Sequence, residues 1–314
     1  MSKSGRRFAP PAPRLRQSPS LSRWNCYLTD QPTGQHDKPF AGATLNLDQC
    51  VDTHLFIISP NNSGSTFVAK AIEQCAATWS LAREGQHMLG YVGPDTIAGG
   101  VPLTWAGSPS SIQTMVNPAN YDWHKTRKAW YFQARAMRED ANVFVARTPS
   151  FLLIVNQLSA AFPGARFIFL LRNPYAIIEG ICRRTGPQNP GRVEALRTAT
   201  RHVVTCFEFQ ARNIRTHRSS GIFLSYEGIC TNPVRARQSV QRLVPHLDDL
   251  DFDQKIAVKG MYDEVLRNMN GDQIGSLSDD DLEIINETMR PKMDLIRSCG
   301  YAIISGSQCR DDRE

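Results

Sequence analysis

His54-Leu-Phe-Ile-Ile-Ser-Pro-Asn-Asn-Ser-Gly-Ser-Thr66, followed by Phe67-Val-Ala-Lys-Ala-Ile72, decides the fold. Leu55 to Ile58 is a short apolar run stopped by Ser59 and Pro60, as expected of a strand buried on both faces. A tight polar turn follows, and then a helix begins near Gly64. Strand, turn and helix N-terminus in that order leave several backbone N–H groups unpaired at the positive end of a helix dipole. Phosphate is the usual guest of such a turn. The competing reading is an ordinary strand-to-helix turn with Ser63 as the N-cap.

A second segment narrows the choice. Ala165-Arg-Phe-Ile-Phe-Leu-Leu-Arg172-Asn-Pro-Tyr-Ala-Ile-Ile-Glu-Gly-Ile-Cys-Arg183-Arg184 is again a strand running into a helix. Arg172 stands where the strand should end, and Pro174 is placed to open the helix. An Arg at the tip of an apolar strand is badly placed unless it meets an anion, and its planar donor fork suits phosphate. The competing reading is an internal ion pair with a carboxylate. In parallel α/β sheets, ligands sit outside the carboxyl ends of the strands. Two such tips suit a ligand with phosphates at two separated places.

The rest of the chain fits one large domain. It has 314 residues, 41% of them hydrophobic, with no composition break between residues 50 and 305 and no internal repeat. Residues 1–50 read as a disordered tail rich in Ser, Pro and Arg with an irregular lead-in, 51–305 as the folded body, and 306–314 as a polar tail. The tail lacks an apolar core, so a secretory signal is not expected, and its prolines spoil an amphipathic targeting helix. The net charge of +6 comes from this tail: six basic residues precede the first acid, Asp30, and without them basic and acidic residues number 30 each. A nucleic-acid-binding body is not implied. No apolar run approaches the length of a membrane span. Eight cysteines without a Cys-x-x-Cys pair suggest no zinc site; they read as free thiols in a reducing, cytoplasmic setting.

Alternating strand and helix patterns predict a mostly parallel sheet between helical layers. Expected are strands at 54–59, 143–146, 166–171 and 221–226. Helices are expected at 64–77, 126–140, from Pro149 to Phe162, and at 174–184, 191–216, 233–244 and 279–298. Residues 79–125 read as long loops with short helices.

These segments resemble the sulfotransferase family, whose members use 3′-phosphoadenosine 5′-phosphosulfate (PAPS). The family's first motif, roughly Pro-x-Arg-Ser-Gly-[Ser/Thr]-Thr after a strand, is similar to Pro60-Asn61-Asn62-Ser63-Gly64-Ser65-Thr66. The second, an Arg-[Asn/Asp]-Pro with a Ser eight residues after the Arg, is similar to Arg172-Asn173-Pro174 with Gly180 at the Ser place. Tyr226-Glu227 after Ile222-Phe-Leu-Ser, and Gly300-Tyr301 near the end, resemble two later family pieces. Together they span about residues 54 to 301, in the family's order.

The resemblance implies a P-loop-like sulfotransferase architecture and a transferase reaction. Asn62, Ser63, Gly64, Ser65 and Thr66 would hold the 5′-phosphosulfate, Arg172 with Arg183 the 3′-phosphate, and Tyr226 would lie near the adenine. Two positions depart from the pattern. Asn62 replaces the basic loop residue, and Gly180 cannot supply the hydroxyl at the 3′-phosphate. Arg147, at the end of a strand, is the favoured substitute cation ahead of Lys70, and Arg183 and Arg184 are placed to compensate for Gly180.

Sulfuryl transfer to a hydroxyl needs a proton acceptor. Glu84, in Arg83-Glu84-Gly85-Gln86-His87, resembles the Glu-Gly element that supplies the base in one branch of the family; His87 is its rival. Four Trp between residues 79 and 130 read either as a core under the loops or as the lining of an acceptor pocket. The expected partners are a small-molecule or glycan acceptor, with no nucleic acid and no membrane insertion; a homodimer is allowed. No metal is expected, because the transferring group carries fewer charges than a phosphoryl group. Gly64 is not followed by the Lys of a Walker A loop, which counts against an ATP-dependent phosphotransferase. A non-catalytic descendant that binds a nucleotide or a protein stays open because of Asn62 and Gly180.

Overall fold

β1 (Thr53–Ile58) carries the first apolar run, and every residue of it except Thr53 is buried. Alternate side chains go to opposite faces of the sheet, as the two-residue period of a strand requires. Phe56 and Ile58 enter one core with Phe144, Ala146, Phe167 and Phe169. Leu55 and Ile57 enter another with Val143, Val145, Ile168 and Leu170. A strand apolar on both faces needs cover on both, and helices supply it. The structure, a computed structural model, describes residues 51–94, 103–135, 141–185, 191–258 and 262–305.

After β1 come α1 (Ser65–Glu73), β2 (Thr78–Ser80), α2 (Pro109–Val116), α3 (Trp123–Arg135), β3 (Val143–Arg147) and α4 (Val155–Ala161). Then follow β4 (Ala165–Leu171), α5 (Pro174–Thr185), α6 (Arg192–Thr216), β5 (Gly221–Ser225), α7 (Tyr226–Thr231) and α8 (Pro233–Leu243). The short strands β6 (Ile256–Val258) and β7 (Tyr262–Glu264) precede α9 (Asn270–Ile274), α10 (Asp279–Met289) and α11 (Met293–Ser298).

The first five strands form one parallel sheet in the order β2-β3-β1-β4-β5. The chain leaves β1 towards β3 and β2 on one side, then crosses to β4 and β5 on the other. That reversal makes a switch point beside the carboxyl end of β1, where such sheets bind ligands. The expected three-layer α/β class holds. A third apolar cluster joins α5, α6 and α10 through Ile177, Ile181, Val203, Phe207, Leu282 and Ile285.

The differences from expectation are local. Three-residue β2 is too short to show an alternating pattern, and it overlaps the start of the segment read as loops. Pro149 opens a 3₁₀ turn (Pro149–Leu153) before α4, not one continuous helix. The single helix expected over 279–298 is broken at Pro291, where a ring in place of an N–H interrupts the hydrogen-bond ladder. β6 and β7 form an antiparallel pair apart from the main sheet.

Trp79, Trp105 and Trp130 are buried in the core beneath one face of the sheet, with Trp123 packed against it. The aromatic group is therefore core, and the acceptor-pocket reading of it is corrected: β2 and α3 place these rings where their large apolar area is best removed from water. Cys75, Cys182, Cys206, Cys230 and Cys299 are free thiols. The expected tails at 1–50 and 306–314, with Cys26, Cys50 and Cys309, lie outside the described residues. No described helix is long and apolar enough to cross a membrane.

Candidate anion-binding and catalytic site

The turn after β1 is the candidate anion site. Asn62 and Gly64 both adopt left-handed backbone, with φ of 59° and 85°. Asn is among the side chains that tolerate this region best, and Gly has no Cβ to oppose it. A Cβ on Gly64 would also lie 2.7 Å from Cδ2 of Tyr226. Gly64 is the N-cap of α1 and no side chain caps the helix. The expected alternative, a turn capped by Ser63, is not what forms: the Ser63 hydroxyl turns back to the carbonyl of Asn61 at 3.5 Å. The backbone N–H groups from Asn62 to Thr66 have no acceptor among the described residues. Several unpaired donors at a helix N-terminus are the chemical requirement for holding phosphate-like oxygens.

Arg172 follows β4 directly and reaches this turn. Its Nη1 donates to the backbone carbonyl of Asn62 at 3.0 Å, its Nε to Oδ1 of Asn270 at 2.7 Å, and its Nη2 to Oε1 of Gln273. The guanidinium lies 4.1 Å from the centre of the Tyr226 ring. Burial lowers its pKa, opposed by nearby Tyr226 and Glu227. The competing internal ion pair is not formed among the described residues; three neutral oxygens take its donors. Glu227 instead accepts from the Asn173 N–H at 2.8 Å and from Nδ2 of Asn270 at 2.6 Å. Tyr226 is itself buried, and its hydroxyl donates to the carbonyl of Arg267 at 2.6 Å.

The two positions that depart from the family pattern touch. A Cβ on Gly180 would sit 3.1 Å from Nδ2 of Asn62. Asn62 Oδ1 accepts from Nη1 of Arg184 at 3.0 Å, while its Nδ2 is buried without a partner. Arg183 is drawn elsewhere, to Oε1 of Glu179 at 2.8 Å.

The three catalytic candidates lie together on the other side of the turn. β3 pairs with β1 so that Arg147 lies opposite Ile57, which brings the guanidinium to the loop. Nη1 of Arg147 donates to Oγ1 of Thr66 at 3.3 Å and lies 3.7 Å from Oε1 of Glu84. Burial lowers the Arg147 pKa, and Glu84 opposes that shift. Nε2 of His87 is 3.7 Å from the second Glu84 oxygen. Gln86 bridges the pair, donating to Glu84 at 3.4 Å and accepting from the Ser150 hydroxyl at 3.1 Å. Gly85 is pressed against Trp130, where a Cβ would meet the ring at 2.7 Å. Glu84 keeps 30% of its side chain exposed. Lys70 has no hydrogen bond or ion pair among the described residues and lines a slot with Glu73, Ser80 and Arg147.

Three supports carried no signal in the sequence. Asn270 and Gln273, on short α9, take two donors of Arg172. Gln210 of α6 donates to the carbonyls of Ile58 and Leu170, tying the tips of β1 and β4. Trp105 donates to Oδ1 of Asn61 at 3.0 Å, and the next residue, Ala106, donates its N–H to Nδ1 of buried His202 at 3.1 Å. These residues are placed by tertiary contact, with no periodicity to mark them.

The parallel sheet, the uncapped turn at the tip of β1 and the guanidinium at the tip of β4 define a class: a P-loop-like α/β fold. A profile of the sulfotransferase family matches residues 54–253, and the chain belongs to that family. No curated protein matches it. Among solved structures, it is similar to the sulfotransferase domain from the Synechococcus PCC 7002 olefin synthase (18% identity, 76% of this chain and 94% of that one, TM-score 0.47). It is also similar to sulfotransferase STF9 from Mycobacterium avium (12% identity, 76% of each chain, TM-score 0.46). A third is mouse sulfotransferase SULT7A1 complexed with PAP (14% identity, 82% of this chain and 95% of that one, TM-score 0.42).

Proposed function

We propose that the protein transfers a sulfuryl group from PAPS to an acceptor hydroxyl or amine, with Glu84 as the base. The observation that carries this reading is the junction of two features at Thr66. Unpaired backbone donors lie on one side of it, and the Arg147–Glu84 pair lies on the other. When bound, PAPS supplies a sulfuryl group whose bond to a phosphate oxygen breaks as the acceptor oxygen bonds to sulfur. The N–H groups from Asn62 to Thr66 bind and orient the phosphosulfate oxygens. Glu84 takes the proton from the acceptor. Arg147 offsets charge where the leaving oxygen develops it, in place of the cation missing at Asn62. Arg172 and Tyr226 hold the turn in shape, and Arg183 is held to Glu179. His87 stands behind Glu84 and can relay its proton.

The catalytic body spans residues 51–305, the acceptor is a small molecule or a glycan, and the compartment is cytoplasmic. Mg²⁺ has no role in this reading. The second reading, a non-catalytic descendant, draws on Asn62 and on the neutral partners that already occupy Arg172.

Transfer of radiolabelled sulfate from PAPS to a mixed acceptor library, with and without EDTA, tests the proposal. Labelled product in both arms is expected. No product, with adenosine 3′,5′-bisphosphate still bound in a calorimeter, would favour the non-catalytic reading.

A further inference from the structure

Three arginines lie on α5 or at the start of α6, and among the described residues only one of them makes no ion pair. Arg183 is paired with Glu179 at 2.8 Å, and Arg192 with Asp281 at 2.7 Å. Arg184 is exposed and makes no ion pair among the described residues; its one hydrogen bond is the 3.0 Å contact to Oδ1 of Asn62. That contact needs three things at once. The Asn62 backbone must be left-handed, which its φ of 59° provides. Its carbonyl must be fixed, and Arg172 fixes it at 3.0 Å. Its side chain must lie in the space beside Gly180, where a Cβ would come within 3.1 Å of Nδ2 and 3.3 Å of Cγ. Asn62 cannot yield that space without moving its amide away from Arg184.

We infer that Asn62 and Gly180 form one coupled device that positions Arg184 as an anion-binding guanidinium at the phosphate loop. The inference rests on the reading of that loop as a PAPS site and adds which cation serves it. Arg184 spends one N–H on Asn62 and keeps its other donors for a phosphate of the ligand. Asn62 is the positioning residue and Gly180 supplies the room. The two departures from the family pattern are then a single exchange. Arg147 stays with the leaving oxygen, α5 adds Arg184 for a phosphate of the ligand, and the hydroxyl position is vacated so that the Asn62 amide can reach across. Restoring a side chain at position 180 should therefore harm the site, because it displaces the residue that holds Arg184.

The experiment is calorimetric titration of adenosine 3′,5′-bisphosphate and of adenosine 5′-monophosphate into the full chain and five variants. Arg184→Ala should weaken bisphosphate binding about tenfold or more, the scale of one charge-assisted hydrogen bond. It should also lower the steepness of the salt dependence. Asn62→Gly, which accepts φ 59° without strain, should weaken binding by a similar factor, and the double variant should bind no worse than Arg184→Ala alone. Gly180→Ser should weaken binding, and Arg183→Ala should change it less than twofold. The monophosphate identifies which phosphate Arg184 meets: a loss confined to the bisphosphate assigns the 3′ group. Bisphosphate binding unchanged by Arg184→Ala, or strictly additive losses in the double variant, would overturn this inference while leaving the PAPS reading intact. No binding by the unmodified chain would overturn both. Unchanged thermal midpoints in the variants exclude misfolding as the cause.

Discussion

Nη1 of Arg172 donates to the backbone carbonyl of Asn62 at 3.0 Å, joining two segments 110 residues apart in the chain. β1 and β4 are neighbours in the sheet, so their tips were bound to approach. The bond goes further, because it fixes one carbonyl in a turn whose N–H groups from Asn62 to Thr66 have no acceptor among the described residues. Its Nε and Nη2 anchor α9 through Asn270 and Gln273, and its flat face lies on Tyr226, the ring that abuts Gly64. Arg172 therefore fixes the shape of the loop.

Arg172→Ala should destabilise the protein and not merely weaken its ligand. It leaves the acceptors on buried Asn270 and half-buried Asn62 and Gln273 unpaired, a cost on the order of 3 kcal/mol. Arg172→Lys restores a charge but lacks the planar fork that serves three acceptors, and it should recover less than half of that loss. Chemical denaturation of the three proteins measures this. A variant as stable as the parent would show that the buried network contributes nothing.

Glu84→Gln keeps the size and much of the hydrogen bonding of Glu84 and removes its basicity. Bisphosphate affinity should stay within about twofold, while turnover with a working acceptor should fall about 10²- to 10⁴-fold, the usual scale for a lost general base. His87→Gln should cost at most about tenfold in turnover, because the imidazole is 3.7 Å from the carboxylate and acts through it. The opposite ranking of the two variants would make His87 the base.

The strand–turn–helix at 54–72 and the second at 165–184 were legible because each joins an uninterrupted apolar run to a turn with a recognisable chemical purpose. The trio Thr66, Arg147 and Glu84 was legible only as separate members. Its meeting depends on β3 lying beside β1, which strand patterns alone do not order. Asn270, Gln273 and Gln210 were invisible for a related reason: a lone amide in a polar stretch gains meaning only from the buried group it satisfies. The tryptophans illustrate the converse. A cluster of aromatic rings is equally a core and a pocket until β2, a strand too short to notice, shows which side of the sheet they occupy.

Gly64→Ala combines two penalties. A left-handed alanine costs about 1–2 kcal/mol, and its methyl group would meet the Tyr226 ring at 2.7 Å. The ring cannot retreat freely, since it is held by Arg172 and by the carbonyl of Arg267. A loss of at least about 2 kcal/mol is expected, together with weaker bisphosphate binding. Adding Tyr226→Leu should remove the collision and leave the backbone penalty, so the double variant should lose less than the sum of the two single losses. Thermal and chemical denaturation report the first effect and calorimetry the second; additive losses would mean that the ring and the glycine do not meet.

Acid should loosen the protein through His202. Burial lowers its pKa from the ordinary 6.5 to about 3, and its Nδ1 accepts the N–H of Ala106 beside the Trp105–Asn61 contact. The unfolded chain therefore binds a proton on this ring before the folded one does. Its contribution is intact above pH 6.5 and is lost as pH falls from 6.5 towards 3, at up to about 1.4 kcal/mol per pH unit. His202→Asn keeps an acceptor near Ala106 but cannot titrate. The stability gap between parent and variant should thus narrow by about 2 kcal/mol between pH 6.5 and pH 5. His217, whose pKa burial also lowers, titrates in both proteins and cancels from the difference. Parallel stability curves across that range would mean that His202 is protonated as readily inside the protein as outside it.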